Sequence, residues 1–252
     1  MSDSSMPDTR PAALIIEPSA GAAAQLFVVL HGEDAAPDQV LHLVAAIRQA
    51  FPQALIVQPY GPFGEGAGRR WIARAQPDAE SYVDLVAEAG RALADDIRAL
   101  QRVHGLNGEQ TALAGFSEGA AVALEAIGTD TGLAGRALLF GTRFATLPAT
   151  GPASTTLHLL HGTADPVAPV DQARQVHGRL AELAADATLD MASGVGHELH
   201  DALIRQAIVR LQTYVPQRTW EAVMGSPDMR VDEYDADDGA ADGETGEGRP
   251  LH

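Results

Sequence analysis

Short apolar runs alternate along this chain with longer segments in which apolar residues recur every three or four positions. The short runs predict strands at residues 14–17, 25–30, 54–58, 111–114, 136–140, 156–160 and 187–191. The longer segments predict helices at residues 38–50, 81–103, 118–127, 170–184 and 200–214. Strands joined by crossover helices form a mostly parallel sheet with helices on both faces. The pattern therefore predicts an α/β protein with about seven strands.

Three segments differ in composition and predict the domain organisation. The last predicted helix has an apolar stripe from Leu203 to Leu211, and Pro216 follows its end, so we expect one folded domain over residues 12–220. Residues 1–11 are predicted to be a flexible segment. Residues 221–252 hold ten acidic residues and two arginines, and from Gly225 onward the sequence is rich in Gly and Asp and nearly without large apolar residues. Such a segment cannot bury enough surface to offset its ordering entropy, so we expect a disordered acidic tail.

Composition excludes several classes of function. A net charge of −17 disfavours nucleic acid as a partner, because binding to phosphates relies on clustered basic residues. The absence of cysteine rules out disulfides, a thiolate nucleophile and cysteine-ligated metals. Neither a secretion signal nor an apolar run of about 18 residues is found, which predicts a cytoplasmic protein without a membrane span. The oligomeric state is not predicted.

The clearest chemical signal is Gly-Phe-Ser-Glu-Gly at residues 115–119. A predicted strand ends at this motif and a helix of small residues begins directly after it, which is the context of a nucleophile elbow. In such a turn the Ser117 hydroxyl projects clear of the backbone, and the N–H of Glu118 can donate to an oxyanion. The alternative is that Ser117 is a helix N-cap between two turn glycines.

The partners of such a serine are predicted from chain order, since this fold places the acid and then the base in loops after later strands. Asp165 follows the strand at 156–160, and His197 follows the strand at 187–191. We expect Asp165 to orient His197, which takes the proton of Ser117 and later returns it. Asp171 is the nearest rival of Asp165, but it lies where a helix N-cap is expected.

The remaining histidine and glycine motifs predict no cofactor. His161 ends a strand before a glycine and is interpreted as a structural turn residue. His197 and His200 are three residues apart, one fewer than in the helical HExxH zinc motif, so no metal site is expected. The glycines at residues 64–68 do not match GxGxxG and are predicted to be a flexible loop.

A second oxyanion donor is expected in the loop after an early strand. Leu-His-Gly-Glu-Asp at residues 30–34 occupies this place, and the N–H of Glu33 is the candidate. The alternative is a plain turn.

These motifs together resemble the α/β-hydrolase carboxylesterases, and within them the phospholipase/carboxylesterase family that includes acyl-protein thioesterases. The resemblance covers about residues 12–215. It implies that Trp71, in Gly-Ala-Gly-Arg-Arg-Trp, lies beside the substrate groove. The chain departs from the family in having Glu118 where glutamine is common after the nucleophile. After the histidine the family's loop often continues Gly-x-Gly-Asp, whereas here Gly32 is followed directly by Glu33 and Asp34.

The resemblance implies a serine hydrolase that cleaves carboxylic esters through an acyl-enzyme on Ser117, with a small-molecule ester or thioester as substrate. Thioesterase and lysophospholipase activities use the same triad and remain open. A hydrolase-fold protein that binds a small ligand without turnover is the alternative from another class. Phe140 and Asp165 are too close in sequence for an inserted cap domain, so we expect none.

Overall fold

A computed structural model describes residues 13–66, 68–216 and 218–219. The predicted flexible segment at 1–11 and the predicted acidic tail at 221–252 lie outside the described residues.

The described chain is built around a seven-stranded sheet in the order β1-β3-β2-β6-β7-β8-β9. All neighbouring strands are parallel except the edge strand β1, which is antiparallel to β3. This confirms the predicted mostly parallel sheet. The strands are β1 (Leu14–Ile16), β2 (Gln25–Leu30), β3 (Ala54–Gln58), β4 (Phe63–Glu65), β5 (Gly68–Arg70), β6 (Thr111–Phe116), β7 (Arg136–Phe140), β8 (Thr156–Gly162) and β9 (Ala187–Ala192), of which β4 and β5 form a separate hairpin.

Helices cover both faces of the sheet, as predicted. They are α1 (Leu41–Ala50), preceded by the 3-10 helix Pro37–Val40, α2 (Ala79–His104), α3 (Glu118–Thr129), α4 (Val170–Glu182) and α5 (Asp201–Thr213). Helices α2, α3 and α4 pack on one face, and α1 and α5 pack on the other.

Alternate residues of the central strands face the two helix layers. In β2, Val28 belongs to the core under α2 and α3, while Val29 belongs to the core under α1 and α5. Both are buried, and burying an aliphatic side chain of this size stabilises the fold by roughly 1.5–3 kcal/mol. Because both faces are covered, the carboxyl edge of the parallel strands is left to the loops that carry the polar chemistry.

The glycine-rich stretch at residues 64–68 differs from its prediction. It forms a two-stranded antiparallel hairpin, β4 and β5, in place of a flexible loop. Gly64 has φ +90, and a Cβ there would lie 2.1 Å from the carbonyl oxygen of Gly68. Only glycine allows the two strands to approach this closely. Three-residue strands without apolar alternation leave no periodic signal, which is why the sequence pattern missed them.

No cap domain is inserted between β7 and β8. The described residues between these strands form turns and irregular structure with no helix or strand, which confirms the prediction. Within the described part of the chain, no helix is both long enough and apolar enough to cross a membrane.

Candidate active site

Ser117 lies in the tight turn between β6 and α3. Its backbone has φ 54 and ψ −115, a strained conformation for a residue with a side chain. The flanking glycines make the turn possible: a Cβ on Gly115 would lie 2.7 Å from backbone atoms of Ala120, and one on Gly119 would lie 2.3 Å from the carbonyl oxygen of His31. The Ser117 N–H donates to the carbonyl of Phe140 (2.9 Å), which ties the turn to β7.

Three predicted site residues from distant parts of the chain meet here. The Ser117 hydroxyl lies 2.9 Å from Nε2 of His197, and Nδ1 of His197 lies 2.7 Å from Oδ2 of Asp165. A carboxylate only accepts hydrogen bonds, so Nδ1 carries the proton and donates to Asp165. Nε2 is then free to accept the proton of the Ser117 hydroxyl, which is the tautomer that nucleophilic catalysis needs.

Asp165 is held rigidly in the loop after β8. Its Oδ1 accepts the backbone N–H groups of Val167 and Ala168, both at 2.8 Å, which leaves Oδ2 for His197. Its side chain is fully buried. The rival residue Asp171 has a side chain that is 77 % exposed, and it pairs with Arg174 on α4. The contacts therefore favour Asp165 as the partner of the imidazole.

The His197 ring is fixed by packing as well as by hydrogen bonds. It lies against the ring of Phe116, with the centroids 4.7 Å apart. On another side it meets Gly141, where a Cβ would lie 3.4 Å from the imidazole. These contacts restrict the ring to the position between Ser117 and Asp165.

The other two histidines of the sequence motifs make structural contacts. His161 is buried and donates from Nε2 to the carbonyl of Ala168 (2.6 Å), which steadies the Asp165 loop. His200 precedes α5 and accepts the N–H of Ala202 at its Nδ1 (3.2 Å). Among the residues that the structure describes, no group of three or more His, Asp or Glu side chains could hold a metal ion.

Two backbone N–H groups are candidates for binding an oxyanion. Gly32 packs closely on the turn that holds Ser117, since a Cβ there would lie 3.4 Å from the Ser117 Cβ, and Glu33 is the next residue of the chain. Glu118 is the first residue of α3, so its N–H has no acceptor within the helix. The N–H groups of Glu33 and Glu118 are thus the two candidate donors.

The side chain of Glu33 forms an ion pair that sequence analysis did not anticipate. Its carboxylate binds Arg143, from the loop after β7. The Arg143 guanidinium also lies over the ring of Tyr82, 5.2 Å from the centroid, and the Tyr82 hydroxyl donates to the Arg143 carbonyl (2.9 Å). This ion pair anchors the loop after β2, the candidate oxyanion loop at residues 31–34, to the loop after β7, and through Tyr82 to α2.

Trp71 is buried and connects the loop after β2 with the start of α3. Its indole N–H donates to the carbonyl of His31 (2.8 Å), and its backbone N–H donates to Oε2 of Glu118 (2.7 Å). The indole also lines an apolar groove of about 640 Å³ between α2 and the sheet, with Tyr60 and Phe63. Trp71 therefore holds Glu118 and His31 through hydrogen bonds and also lines the groove.

The Glu118 carboxyl is buried, and its pKa is not that of an ordinary glutamate. Burial raises its pKa to about 7, and the negative charge of Glu33 adds to this effect. The Trp71 N–H and the charges of Arg143 and Arg70 oppose the rise without cancelling it. The side chain is therefore largely neutral below about pH 7.

Comparison with known proteins places the chain in a defined group. A family model described as Phospholipase/Carboxylesterase matches residues 11–215. The chain is also 31 % identical over 207 residues to the esterase YpfH of Escherichia coli strain K12, a match that covers 80 % of this chain and 88 % of that protein.

Solved structures show the same fold. The crystal structure of esterase PE8 aligns with a TM-score of 0.73 at 24 % identity, over 81 % of this chain and 99 % of that one. A Bacillus cereus carboxylesterase aligns with a TM-score of 0.66 at 16 % identity, over 78 % of this chain and 91 % of that one.

Proposed function

The chain belongs to the phospholipase/carboxylesterase family and is a carboxylic ester hydrolase, and we propose that Ser117, His197 and Asp165 are its catalytic triad. The observation that carries this assignment is the continuous line of hydrogen bonds from the Ser117 hydroxyl through His197 to Asp165. The strained backbone of Ser117 supports it, because backbone strain persists only where the surrounding structure enforces it, and such residues cluster at active sites.

The first half of the proposed reaction forms the acyl-enzyme. The Ser117 oxygen attacks the carbonyl carbon of the ester while Nε2 of His197 takes its proton. Negative charge grows on the carbonyl oxygen, where the N–H groups of Glu33 and Glu118 donate to it. Asp165 stabilises the imidazolium that has formed. His197 then returns the proton to the leaving alcohol as the carbon–oxygen bond breaks.

The second half releases the acid. A water molecule loses its proton to Nε2 of His197 and attacks the acyl carbon. The same two N–H groups stabilise the second tetrahedral intermediate, and Ser117 leaves with the proton from His197. Water is thus the second substrate, and no step requires a cofactor.

The substrate proposal is a small-molecule carboxylic ester, with a thioester as a further substrate open to the same chemistry. Trp71 is proposed to contact the substrate, as the resemblance to the family implies, although the residues that line the apolar groove include none of Ser117, Asp165 and His197. We further propose that the enzyme works in the cytoplasm, since a chain without cysteine does not depend on an oxidising compartment.

The acyl-enzyme can be tested by pre-steady-state hydrolysis of p-nitrophenyl butyrate. With this activated leaving group, acylation outruns deacylation, so p-nitrophenol is expected to appear in a burst of about one equivalent per enzyme before the steady rate. Stopped-flow absorbance measures both phases. If p-nitrophenyl esters with acyl chains from acetyl to octanoyl are all left intact by the folded protein, the proposed function is wrong.

A further inference from the structure

The carboxyl of Glu118 has a position that the reaction described so far does not use. The side chain is fully buried, one residue after the nucleophile. Its Oε2 accepts the Trp71 N–H at 2.7 Å, while its Oε1 is buried with no hydrogen-bond partner among the described residues. An ionised carboxylate with one oxygen unsatisfied is costly to bury, whereas a neutral acid leaves only a hydroxyl without a partner.

The charged groups around Glu118 do not neutralise it. Glu33 faces it from the oxyanion loop, Arg143 from the loop after β7, Arg70 from β5, and Tyr82 from α2. Each of the two cations already has a carboxylate partner: Arg143 binds Glu33, and Arg70 lies 3.4 Å from Asp34. An ionised Glu118 would therefore add a second negative charge to a site that already contains Glu33.

The contacts of Glu118 link the two candidate oxyanion donors, the N–H groups of Glu33 and Glu118. Its carboxyl holds the backbone of Trp71, and the Trp71 indole holds the carbonyl of His31. The ring of His31 in turn donates to the carbonyl of Gly32 (2.7 Å) and accepts the N–H of Gly61 (2.9 Å). The N–H groups of Glu33 and Glu118, the two candidate donors, are thus linked through the side chain of Glu118 and the contacts that it begins.

We propose that Glu118 is a positioning residue that works as a neutral carboxylic acid, fastening the Trp71 backbone to the nucleophile turn without adding charge beside the oxyanion. This inference deepens the proposed function and rests on it. The carboxyl exchanges no proton with the substrate. It acts by keeping the N–H groups of Glu33 and Glu118 in register, and its ionisation opposes the negative charge that develops there.

The test is the pH dependence of kcat/KM for p-nitrophenyl butyrate, from pH 5.5 to pH 9, in the wild type and in Glu118→Gln. Glutamine can accept the Trp71 N–H and cannot ionise. The ratio of kcat/KM for Glu118→Gln to that for the wild type is expected to rise about tenfold between pH 6 and pH 8.5, with its midpoint near pH 7. Glu125→Gln, the same change two turns further along α3, is the control and should leave the pH profile unchanged.

A second variant separates the effect of the Glu118 charge from that of its hydrogen bond with the Trp71 N–H. Glu118→Met is neutral but cannot accept the Trp71 N–H. Its kcat/KM should therefore not share the wild type's loss at alkaline pH, yet should be about tenfold lower than that of Glu118→Gln at every pH. Thermal melting across the same pH range reports whether each variant is folded. Glu118→Gln and the wild type should converge in melting temperature toward low pH.

The sign of this stability effect follows from the two pKa values of Glu118. The unfolded chain releases the proton near 4.5 and the native protein near 7, so between these values the native state binds more protons. The stability of the wild type therefore falls as the pH rises through this interval, and Glu118→Gln should not share that fall.

A ratio of kcat/KM that does not change with pH would overturn the inference, and so would a Glu118→Met variant equal to Glu118→Gln. Either result leaves the proposed function intact if Ser117 still forms an acyl-enzyme. Failure to form one in the wild type removes the proposed function itself, so the two failures are distinguishable.

Discussion

Replacing Ser117 with alanine is expected to lower kcat for p-nitrophenyl butyrate by about 10⁵-fold. This is close to the largest loss possible while the oxyanion donors remain in place. In the proposed mechanism the oxygen of this hydroxyl bonds to the substrate, and among the described residues no other hydroxyl is hydrogen-bonded to His197. The N–H groups of Glu33 and Glu118 stay in place, so a residual rate about 10³-fold above the uncatalysed reaction should survive. Initial rates over a substrate series measure kcat and KM separately.

The matched control for this change is Ser154→Ala, an exposed serine in the loop between β7 and β8. It should keep kcat within about twofold of the wild type, because surface changes away from the site cost little. The assignment of Ser117 fails if Ser117→Ala, with an unchanged melting temperature, retains more than a tenth of the wild-type rate.

Changing Asp165 to asparagine is expected to reduce kcat by about 10⁴-fold with little change in KM. The asparagine carbonyl can still accept the N–H groups of Val167 and Ala168, so its amide N–H₂ then points at His197. The imidazole must accept this bond at Nδ1, which places its proton on Nε2. Nε2 can then no longer take the proton of Ser117, so the chemical step fails while substrate binding does not.

Asp171→Asn provides the comparison, because Asp171 is the other aspartate that the sequence allowed in this role. Its side chain is exposed and pairs only with Arg174 among the described residues, so kcat should change less than about twofold. Equal losses in both variants would contradict the orientation of His197 by Asp165. A large loss confined to Asp171→Asn would transfer the role to that residue.

Much of this arrangement was predictable because it depends on local patterns and on chain order. Apolar runs identified β2, β3 and β7 with the bounds that the structure shows. The parallel register then places the loops after β6, β8 and β9 at one edge of the sheet. Ser117, Asp165 and His197 each directly follow or lie near the end of one of these strands, so their meeting follows from the topology.

Contacts between segments far apart in sequence were not predictable. Glu118 and Trp71 are 47 residues apart, and Glu33 and Arg143 are 110 residues apart. A charged side chain gives no sign in the sequence of which distant group it will face. The same limit applies to the hairpin of β4 and β5, whose strands are held by a close glycine contact and carry no apolar alternation.

The position of Glu118 is evident from the sequence, whereas its environment is evident only from the structure. Its position directly after Ser117 could be read from the sequence, and a carboxylate there would oppose an oxyanion if it turned inward. Only the structure shows that the side chain turns to the Trp71 backbone and is fully buried. If Glu118 acts as proposed, the departure from the glutamine common in the family is a source of pH dependence.

Labelling with a fluorophosphonate tests most directly whether Ser117 is a nucleophile activated by His197. Such a probe bonds covalently only to a serine whose hydroxyl is activated by a base. The folded wild type should take up one probe per chain, found by peptide mass spectrometry on Ser117, while Ser117→Ala takes up none and Asp165→Asn reacts much more slowly. A folded wild-type protein that remains unlabelled, or a label on another serine, would contradict the account.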